Sequence, residues 1–266
     1  MDRTLVEKQF GAAAADYAAS AVHASGPSLG RLVALVSPKP DWRVLDVATG
    51  AGHTALAFAP LVAQVFASDI TPAMLAEARR LASARGLVNV ATAEAEAGAL
   101  PFPDSEFDLV TCRLAAHHFP DSAAFVAEAW RVLKPGGMIA VVDNVGPDAL
   151  LLPEVPEADI APLGEAYEAY ERLRDPSHVR CAGLSEWLAI LSRTGFEDVR
   201  HELLDQDIQF VPWLKRMRCD VDTAEQLEGM LEDEPLRSFL RPREEAGERL
   251  FTLREAIIVA RKPDRS

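Results

Sequence analysis

Two acidic side chains and a run of small residues form the part of the sequence best suited to hold a ligand. Asp46 lies in an apolar run that leads into Gly50 and Gly52, which predicts a buried strand, a tight turn and a helix. Glycines let ligand atoms approach the backbone, and the start of the next helix offers N–H donors. Asp69 ends the following apolar run. Two carboxylates at neighbouring strand ends, one suited to an amine and one to ribose hydroxyls, favour an amino-acid nucleoside over a dinucleotide.

The same residues also admit other interpretations. Asp46 can cap the following turn, and Asp69 can cap the helix after it. The pattern Gly50-x-Gly52-x-x-Ala55 also fits a dinucleotide site, so a nicotinamide-dependent oxidoreductase is one alternative. The sequence contains no Tyr-x-x-x-Lys pair for hydride chemistry, however. A non-catalytic protein that binds the nucleoside is a second alternative, which turnover with a panel of acceptors would distinguish from an enzyme.

The elements that must position these residues alternate along the first 145 positions. Strands are predicted near residues 43–47, 64–68, 88–93, 107–112 and 138–143, with helices at 54–62, 72–85 and 122–133. This alternation predicts a parallel sheet that is covered by helices on both faces. We therefore expect an α/β, doubly wound, Rossmann-like fold with its ligand at the carboxyl ends of the strands.

The remainder of the chain is predicted to complete the sheet and to cover the ligand. Helices are expected at residues 164–174 and 185–194 and as a polar insertion at 213–248, with strands at 199–204 and 256–260. The complete sheet would have seven strands, mostly parallel, with the last strand antiparallel beside the sixth. We expect one domain over residues 1–266: a helical flap at 1–36, a cofactor-binding core at 37–145, and a substrate cap with the C-terminal strands at 146–266.

Composition narrows the class of function. The net charge is −14 and no run of five Lys or Arg occurs, so nucleic acid is not an expected partner. Cys112, Cys181 and Cys219 are far apart and odd in number, which argues against a disulfide framework or a zinc site. No secretory or 18-residue apolar stretch is seen, so no membrane segment is expected. We expect a cytoplasmic protein with a small-molecule substrate and no metal; a homodimer is left open.

Five motifs, in order, resemble those of class I S-adenosylmethionine-dependent methyltransferases of the small-molecule, type 11-like group. Residues 44–54 resemble the glycine motif of that family, with Ala48 in place of the usual first glycine. Residues 66–69 resemble its ribose-binding strand end. The other matches are residues 93–104 with the adenine segment, 107–110 with the fourth strand and 131–137 with the segment before strand five. The resemblance covers nearly the whole chain and implies methyl transfer from S-adenosylmethionine.

The resemblance also implies a role for each residue of a cofactor site. Asp46, Ala48, Gly50 and Gly52 would line the methionine moiety, Asp69 would hold the ribose, Ile70 and Met74 would pack on the adenine, Glu96 and Ala97 would hydrogen-bond it, Arg113 would border the methionine end, and Tyr17 would belong to the flap. Glu96 has an alternative as a solvated loop acid.

Catalytic and acceptor-binding residues follow less directly from the motifs. Methyl transfer is an in-line displacement, so positioning and exclusion of water can supply much of the acceleration. For an acceptor that needs a general base, His117 and His118 are candidates, with packing as the alternative. Arg174, His178 and Arg180 are candidates for binding the acceptor, with ion pairs to helix glutamates as the alternative. The extensive cap predicts a small, partly apolar acceptor.

Overall fold

An eight-stranded sheet organises the computed structural model of the chain, which describes residues 26–264. The strands are β1 (Arg43–Val47), β2 (Gln64–Asp69), β3 (Val90–Glu94), β4 (Phe107–Arg113), β5 (Leu133–Asn144), β6 (Glu197–Gln209), β7 (Arg243–Glu245) and β8 (Glu248–Arg261). Seven of them follow the order β3-β2-β1-β4-β5-β8-β6, and the short β7 pairs with β8. Strands β1 to β5 are parallel, and β8 runs antiparallel to both β5 and β6. The predicted doubly wound sheet with an antiparallel last strand is confirmed.

Helices cover both faces of this sheet. They are α1 (Pro27–Val36), α2 (His53–Phe58), α3 (Pro72–Ala84), α4 (Ser122–Val132), α5 (Glu157–Arg174), α6 (Leu184–Thr194), α7 (Phe210–Arg216), α8 (Val221–Glu232) and α9 (Leu236–Leu240). Short 3₁₀ turns occupy Ala59–Leu61 and Ala116–His118. The described helices include none that is long and apolar enough to cross a bilayer.

Successive residues of the central strands enter different hydrophobic cores, because side chains alternate between the faces of a sheet. On β1, Val44 packs with Leu32 of α1 and Phe58 of α2, whereas Leu45 packs with Phe125 of α4 and Trp187 of α6. All six side chains are at most 1% exposed. The continuous apolar run of β1 is therefore what a strand covered on both faces requires.

A third hydrophobic core lies outside these two layers and holds the cap together. It joins α5, α7, α8 and α9 to the ends of β6 and β8, and its largest members are Tyr167, Tyr170, Trp213 and Phe251. Trp213 stacks on Tyr170 with ring centroids 5.3 Å apart and meets Phe251 edge-on at 4.9 Å. The cap is thus a packed unit with an aromatic centre.

The cap differs from the expected polar helical insertion at residues 213–248. Helix α9 ends at Leu240, and the chain returns through β7 into β8, which is 14 residues long. The outer part of this hairpin is rich in charged residues. Cross-strand ion pairs from Arg243 to Asp207 and from Arg254 to Asp205 satisfy these charges on the exposed sheet surface.

Candidate active site

A cavity of about 330 Å³ lies at the carboxyl ends of the strands, between the β1 turn and the cap. Its volume is within the range of roughly 300–1,000 Å³ that is usual for ligand pockets. Eleven of the predicted site residues line it: Ala48, Gly50, Asp69, Ile70, Met74, Glu96, Ala97, Arg113, His117, His118 and Arg174. Asp46, Gly52, His178 and Arg180 do not line it. Tyr17, which was predicted to belong to the flap, lies outside the described residues.

The turn after β1 takes a left-handed backbone at three alternate positions. Ala48, Gly50 and Gly52 have φ values of 52°, 54° and 89°. A Cβ on Gly52 would lie 2.9 Å from the Cβ of Ala78 on α3, so glycine lets the turn and α3 pack closely. A Cβ on Gly50 would meet no atom within 4 Å, since this residue faces open space in the cavity. Gly52 therefore allows the turn to pack against α3, and Gly50 presents its backbone to a ligand.

Asp46 holds this turn in place from beneath. Its carboxylate accepts hydrogen bonds from Thr49 Oγ1 at 2.5 Å, Thr111 Oγ1 at 2.7 Å and the Ala55 backbone N–H at 3.2 Å. Complete burial raises the pKa of Asp46 to about 6, although these donors and the charge of Arg113 oppose the shift. The described contacts of Asp46 are thus with the turn and β4, and its assignment to the ammonium group of the cofactor stays a prediction.

Asp69 joins the end of β2 to the same turn and also lines the cavity. Its two oxygens accept hydrogen bonds from the backbone N–H groups of Gly50 and Thr71, each at 2.8 Å. Burial raises the pKa of Asp69, and the backbone donors oppose that rise. Each carboxylate oxygen has a second acceptor position, so Asp69 can still receive hydroxyl donors from a ligand.

Glu255 is a cavity residue that the sequence analysis missed. It lies on β8, opposite Asn144 at the end of β5, and is only 4% exposed. Its Oε2 has no hydrogen-bond partner among residues 26–264, and burial raises its pKa while Ser28 and Arg113 oppose the rise. The last strand predicted from the sequence begins at residue 256, one position after Glu255, so the prediction did not place Glu255 on the sheet. An under-satisfied buried carboxylate suits a ligand with a cationic group.

His117 is held by a carboxylate at the edge of the cavity. The Asp143 carboxylate contacts His117 Nδ1 at 2.6 Å and accepts the His117 backbone N–H at 2.7 Å. Burial opposes the charged imidazole, but the charge and hydrogen bond of Asp143 raise the pKa of His117 above its usual value. No described residue hydrogen-bonds Nε2 of His117. Asp143 therefore orients the ring through Nδ1 and leaves the other nitrogen available to a ligand.

His118 has a different environment although it also lines the cavity. Its ring centroid lies 4.2 Å from that of His117, and its Nδ1 lies 3.1 Å from the Ser177 carbonyl oxygen. Burial, followed by the charge of His117, lowers the pKa of His118 to about 3. His118 is therefore neutral, and its Nδ1 carries the proton that the carbonyl oxygen accepts.

The three predicted acceptor-binding residues occupy different places. Arg174 lines the cavity, with its guanidinium carbon 4.4 Å from the ring centre of Trp213. His178 is buried and contacts Glu168 through Nε2 at 2.6 Å. Arg180 is exposed and pairs with Glu186 at 2.5 Å. The roles predicted for His178 and Arg180 stay predictions, since both side chains are engaged outside the cavity.

Glu168 and His178 form a buried group with Cys181 in which all ligand-type atoms lie within 4.8 Å of one another. The sequence did not predict this proximity, because the three residues lie too far apart along the chain to form a recognisable motif. The Cys181 backbone N–H donates to Glu168 Oε1 at 2.9 Å, and His178 contacts Oε2. Both Glu168 oxygens are thus used to attach the loop after α5 to the helix.

Comparison with known proteins agrees with this geometry. A family model described as a methyltransferase domain matches residues 45–141. The methyltransferase YcgJ of Bacillus subtilis (strain 168) is 38% identical over 223 residues, which are 83% of this chain and 83% of the relative. The chain belongs to the class I S-adenosylmethionine-dependent methyltransferases.

Solved structures of similar proteins extend over most of this methyltransferase. The crystal structure of YcgJ superposes with a TM-score of 0.79 at 34% identity and covers 90% of this chain and 99% of the other. BH2331 of Bacillus halodurans C-125 superposes with a TM-score of 0.80 at 36% identity, with 90% and 100% covered. A demethylmenaquinone methyltransferase of Thermus thermophilus is 45% identical over 115 residues, but these are only 42% of this chain and 52% of the relative.

The cavity of this methyltransferase fits the donor that its family uses. Gly50 faces open space, Asp69 offers free acceptor positions for hydroxyls, and the under-satisfied carboxylate of Glu255 suits a cation. Apolar contacts for a base come from Ile70 and Met74 in the same cavity. The membership of this family also decides against the nicotinamide-dependent alternative.

Proposed function

We propose that this methyltransferase transfers the methyl group of S-adenosylmethionine to a small, partly apolar acceptor that binds between the β1 turn and the cap. The observation that carries the proposal is the continuity of the cavity. One side is formed by the small residues and carboxylates at the ends of β1 and β2, and the other by His117, Trp213 and Leu253. A donor and an acceptor can therefore meet in one cavity.

The sheet order supports a division of the cavity into a donor half and an acceptor half. Strands β1, β2 and β3 form one end of the sheet, and the predicted donor-binding residues follow them in the chain. Asp69 would hold the ribose, Ile70 and Met74 would enclose the adenine, and Gly50 would approach the methionine moiety. The cap lies beside β8 and β6, at the other end, and contributes the aromatic and basic side chains.

The chemistry assigns one task to His117. S-adenosylmethionine, when bound, supplies a sulfonium methyl group, and an acceptor lone pair forms the new bond to carbon while the C–S electron pair stays on sulfur. The nucleophilic atom must give up its proton if it is a hydroxyl or an acidic carbon. Nε2 of His117 would take that proton, since Asp143 fixes the ring through Nδ1 and stabilises the imidazolium that results. The cap would exclude water from this step.

Calorimetry and turnover test the proposal together. We expect S-adenosylhomocysteine to bind the full chain and NAD not to bind. Incubation with a deuteromethyl-labelled donor and a small-molecule cell extract should yield a labelled product by mass spectrometry. A protein that binds the nucleoside but labels no small molecule would be the non-catalytic alternative. A protein that neither binds S-adenosylhomocysteine nor labels a small molecule would contradict the assigned donor site as well.

A further inference from the structure

Two guanidinium groups line the cap side of the cavity in a protein whose net charge is −14. Arg174 is the last residue of α5 and Arg216 the last of α7, and both are half-buried. Ile208, Trp213 and Leu253 line the same cavity and are at most 8% exposed. The acceptor half thus combines apolar walls with cations from two helices.

Arg174 is oriented by Trp213 rather than by an acid. Its guanidinium lies over the indole, and Nε and Nη2 each donate to the Trp213 carbonyl oxygen at 3.3 Å. A guanidinium has five N–H donors, so the bonds to this oxygen leave three. Within residues 26–264, no other acceptor is bonded to them and no carboxylate lies within 4 Å of the group. Arg174 is therefore a fixed cation with donors to spare.

Asp175 and Glu255 line this cavity and Asp143 lies beside it, and each of these acids has contacts with groups other than Arg174. Asp175 accepts from the backbone N–H and the hydroxyl of Ser177, at 2.9 and 2.5 Å, through the same oxygen. Glu255 lies by Arg113 and Ser28, and Asp143 holds His117. None of these three acids forms an ion pair with Arg174 among the described residues. Buried Glu171 interacts with the charge of Arg174 but forms no ion pair with it among the described residues, so the guanidinium donors of Arg174 are available to a ligand.

We infer that the acceptor is a small organic acid whose carboxylate is held by Arg174, with Arg216 as a second cation, and whose apolar part packs against Trp213. The planar fork of arginine matches a carboxylate through two parallel hydrogen bonds. The inference rests on the proposed function, because it names the class of molecule that receives the methyl group. It also gives the three remaining donors of Arg174 an anionic partner, which a neutral acceptor would not supply.

Fractionation of a small-molecule extract tests this inference. The extract is separated on an anion exchanger at neutral pH, and the full-length enzyme with deuteromethyl-labelled donor is added to the retained and unretained fractions separately. We expect the label in the retained fraction, on a molecule that keeps its carboxyl group. Label only in the unretained fraction, or on a retained molecule without a carboxyl group, overturns the acid assignment and leaves the proposed function intact. Label in neither fraction overturns the proposed function itself.

Enzyme variants, assayed with the acceptor that this experiment identifies, complete the test. Arg174→Gln should raise KM for the acid at least tenfold while kcat changes less than threefold and the affinity for S-adenosylhomocysteine is unchanged. Arg174→Lys should recover part of that loss, because it restores the charge without the fork. Arg237→Gln is the matched control, since Arg237 lies on α9 with 58% of its side chain exposed. An unchanged KM in folded Arg174→Gln overturns the inference.

Discussion

The donor half and the acceptor half of the cavity are built on different principles. At the ends of β1 and β2, Asp46 and Asp69 accept hydrogen bonds from the backbone and hydroxyl groups of neighbouring turns and elements, and Asp69 keeps further acceptor positions for a ligand. In the acceptor half, Arg174 has donors and His117 has a ring nitrogen that no residue within 26–264 hydrogen-bonds. The two side chains are positioned by residues from other elements, Trp213 and Asp143.

This difference separates what the two halves contribute. The donor half is formed by the ends of neighbouring parallel strands and the turns that follow them, so much of its geometry follows from short sequence motifs. The acceptor half is assembled when α5 and α7 pack on β8 through the aromatic core of the cap. We therefore expect substitutions in one half to leave the binding function of the other half largely unchanged.

The largest effect is expected from His117→Gln. Removal of a general base lowers a rate by a factor of about 10² to 10⁴, and we expect kcat to fall about a thousandfold. Affinity for S-adenosylhomocysteine should stay within twofold, since the donor half is untouched. Turnover and calorimetry measure the two quantities, with the exposed His201→Gln on β6 as the control. A folded variant that keeps more than a tenth of wild-type kcat would show that the acceptor needs no base from this residue.

Leu227→Ala tests whether the cap is a separate packed unit. Leu227 on α8 is fully buried in the aromatic core of the cap, and deletion of such a side chain lowers the free energy of unfolding by about 3 kcal/mol. We expect a thermal or denaturant transition of lower stability, weaker acceptor turnover and unchanged nucleoside affinity. Val221→Ala on the same helix is the control, because Val221 is 71% exposed. Loss of nucleoside affinity in proportion to turnover would contradict the division into halves.

Asp69→Ala should weaken nucleoside binding about a hundredfold, which corresponds to about 2.7 kcal/mol. The substitution removes charge-assisted hydrogen bonds to the ribose and also releases the backbone N–H groups of Gly50 and Thr71. Calorimetry with S-adenosylhomocysteine measures the change, and the exposed Asp41→Ala before β1 serves as the control. Unchanged affinity in a folded Asp69→Ala protein would mean that this carboxylate only ties the turn to β2.

The same division explains how far the sequence could be interpreted. Most of the residues predicted for the donor half line the cavity, because residues such as Ala48, Gly50 and Asp69 lie in short motifs at the ends of strands. The fold followed from the alternation of apolar runs. The acceptor half was not predictable in the same way: Arg216 and Glu255 gave no local signal, and they reach the cavity only through the packing of α7 and the antiparallel pairing of β8.

Basic residues near Arg174 illustrate this limit. Arg174, His178 and Arg180 were grouped because they are close along the chain. The fold places them in three different environments. Helix α5 ends at Arg174, and the turn that follows directs His178 into the protein and Arg180 toward Glu186 on α6. A sequence pattern shows that such side chains are close along the chain. Whether each one lines the cavity depends on the direction in which it leaves the backbone.

Asp143→Asn is expected to have the smallest effect on rate and the most specific signature. Asp143 is a positioning residue, so we expect kcat to fall only about tenfold. Its charge raises the pKa of His117 against the effect of burial, with Glu171 and Asp175 acting in the same direction. Because the neutral imidazole is the base, the rate of the wild type should rise with pH through a midpoint above 6.5. Loss of the Asp143 charge lets burial prevail, and the midpoint should move to lower pH.

The pH profile of kcat/KM therefore distinguishes positioning from a purely structural role. A variant that was merely destabilised would lose rate at every pH without a change of midpoint, so thermal unfolding is measured over the same pH range. The folded-state pKa of His117 lies above that of a free imidazole, and its contribution to stability is therefore present below pH 6.5 and disappears as the pH rises through the folded value. In Asp143→Asn this contribution should vanish together with the shifted midpoint. An unmoved midpoint would assign the titration to another group and remove His117 from the reaction.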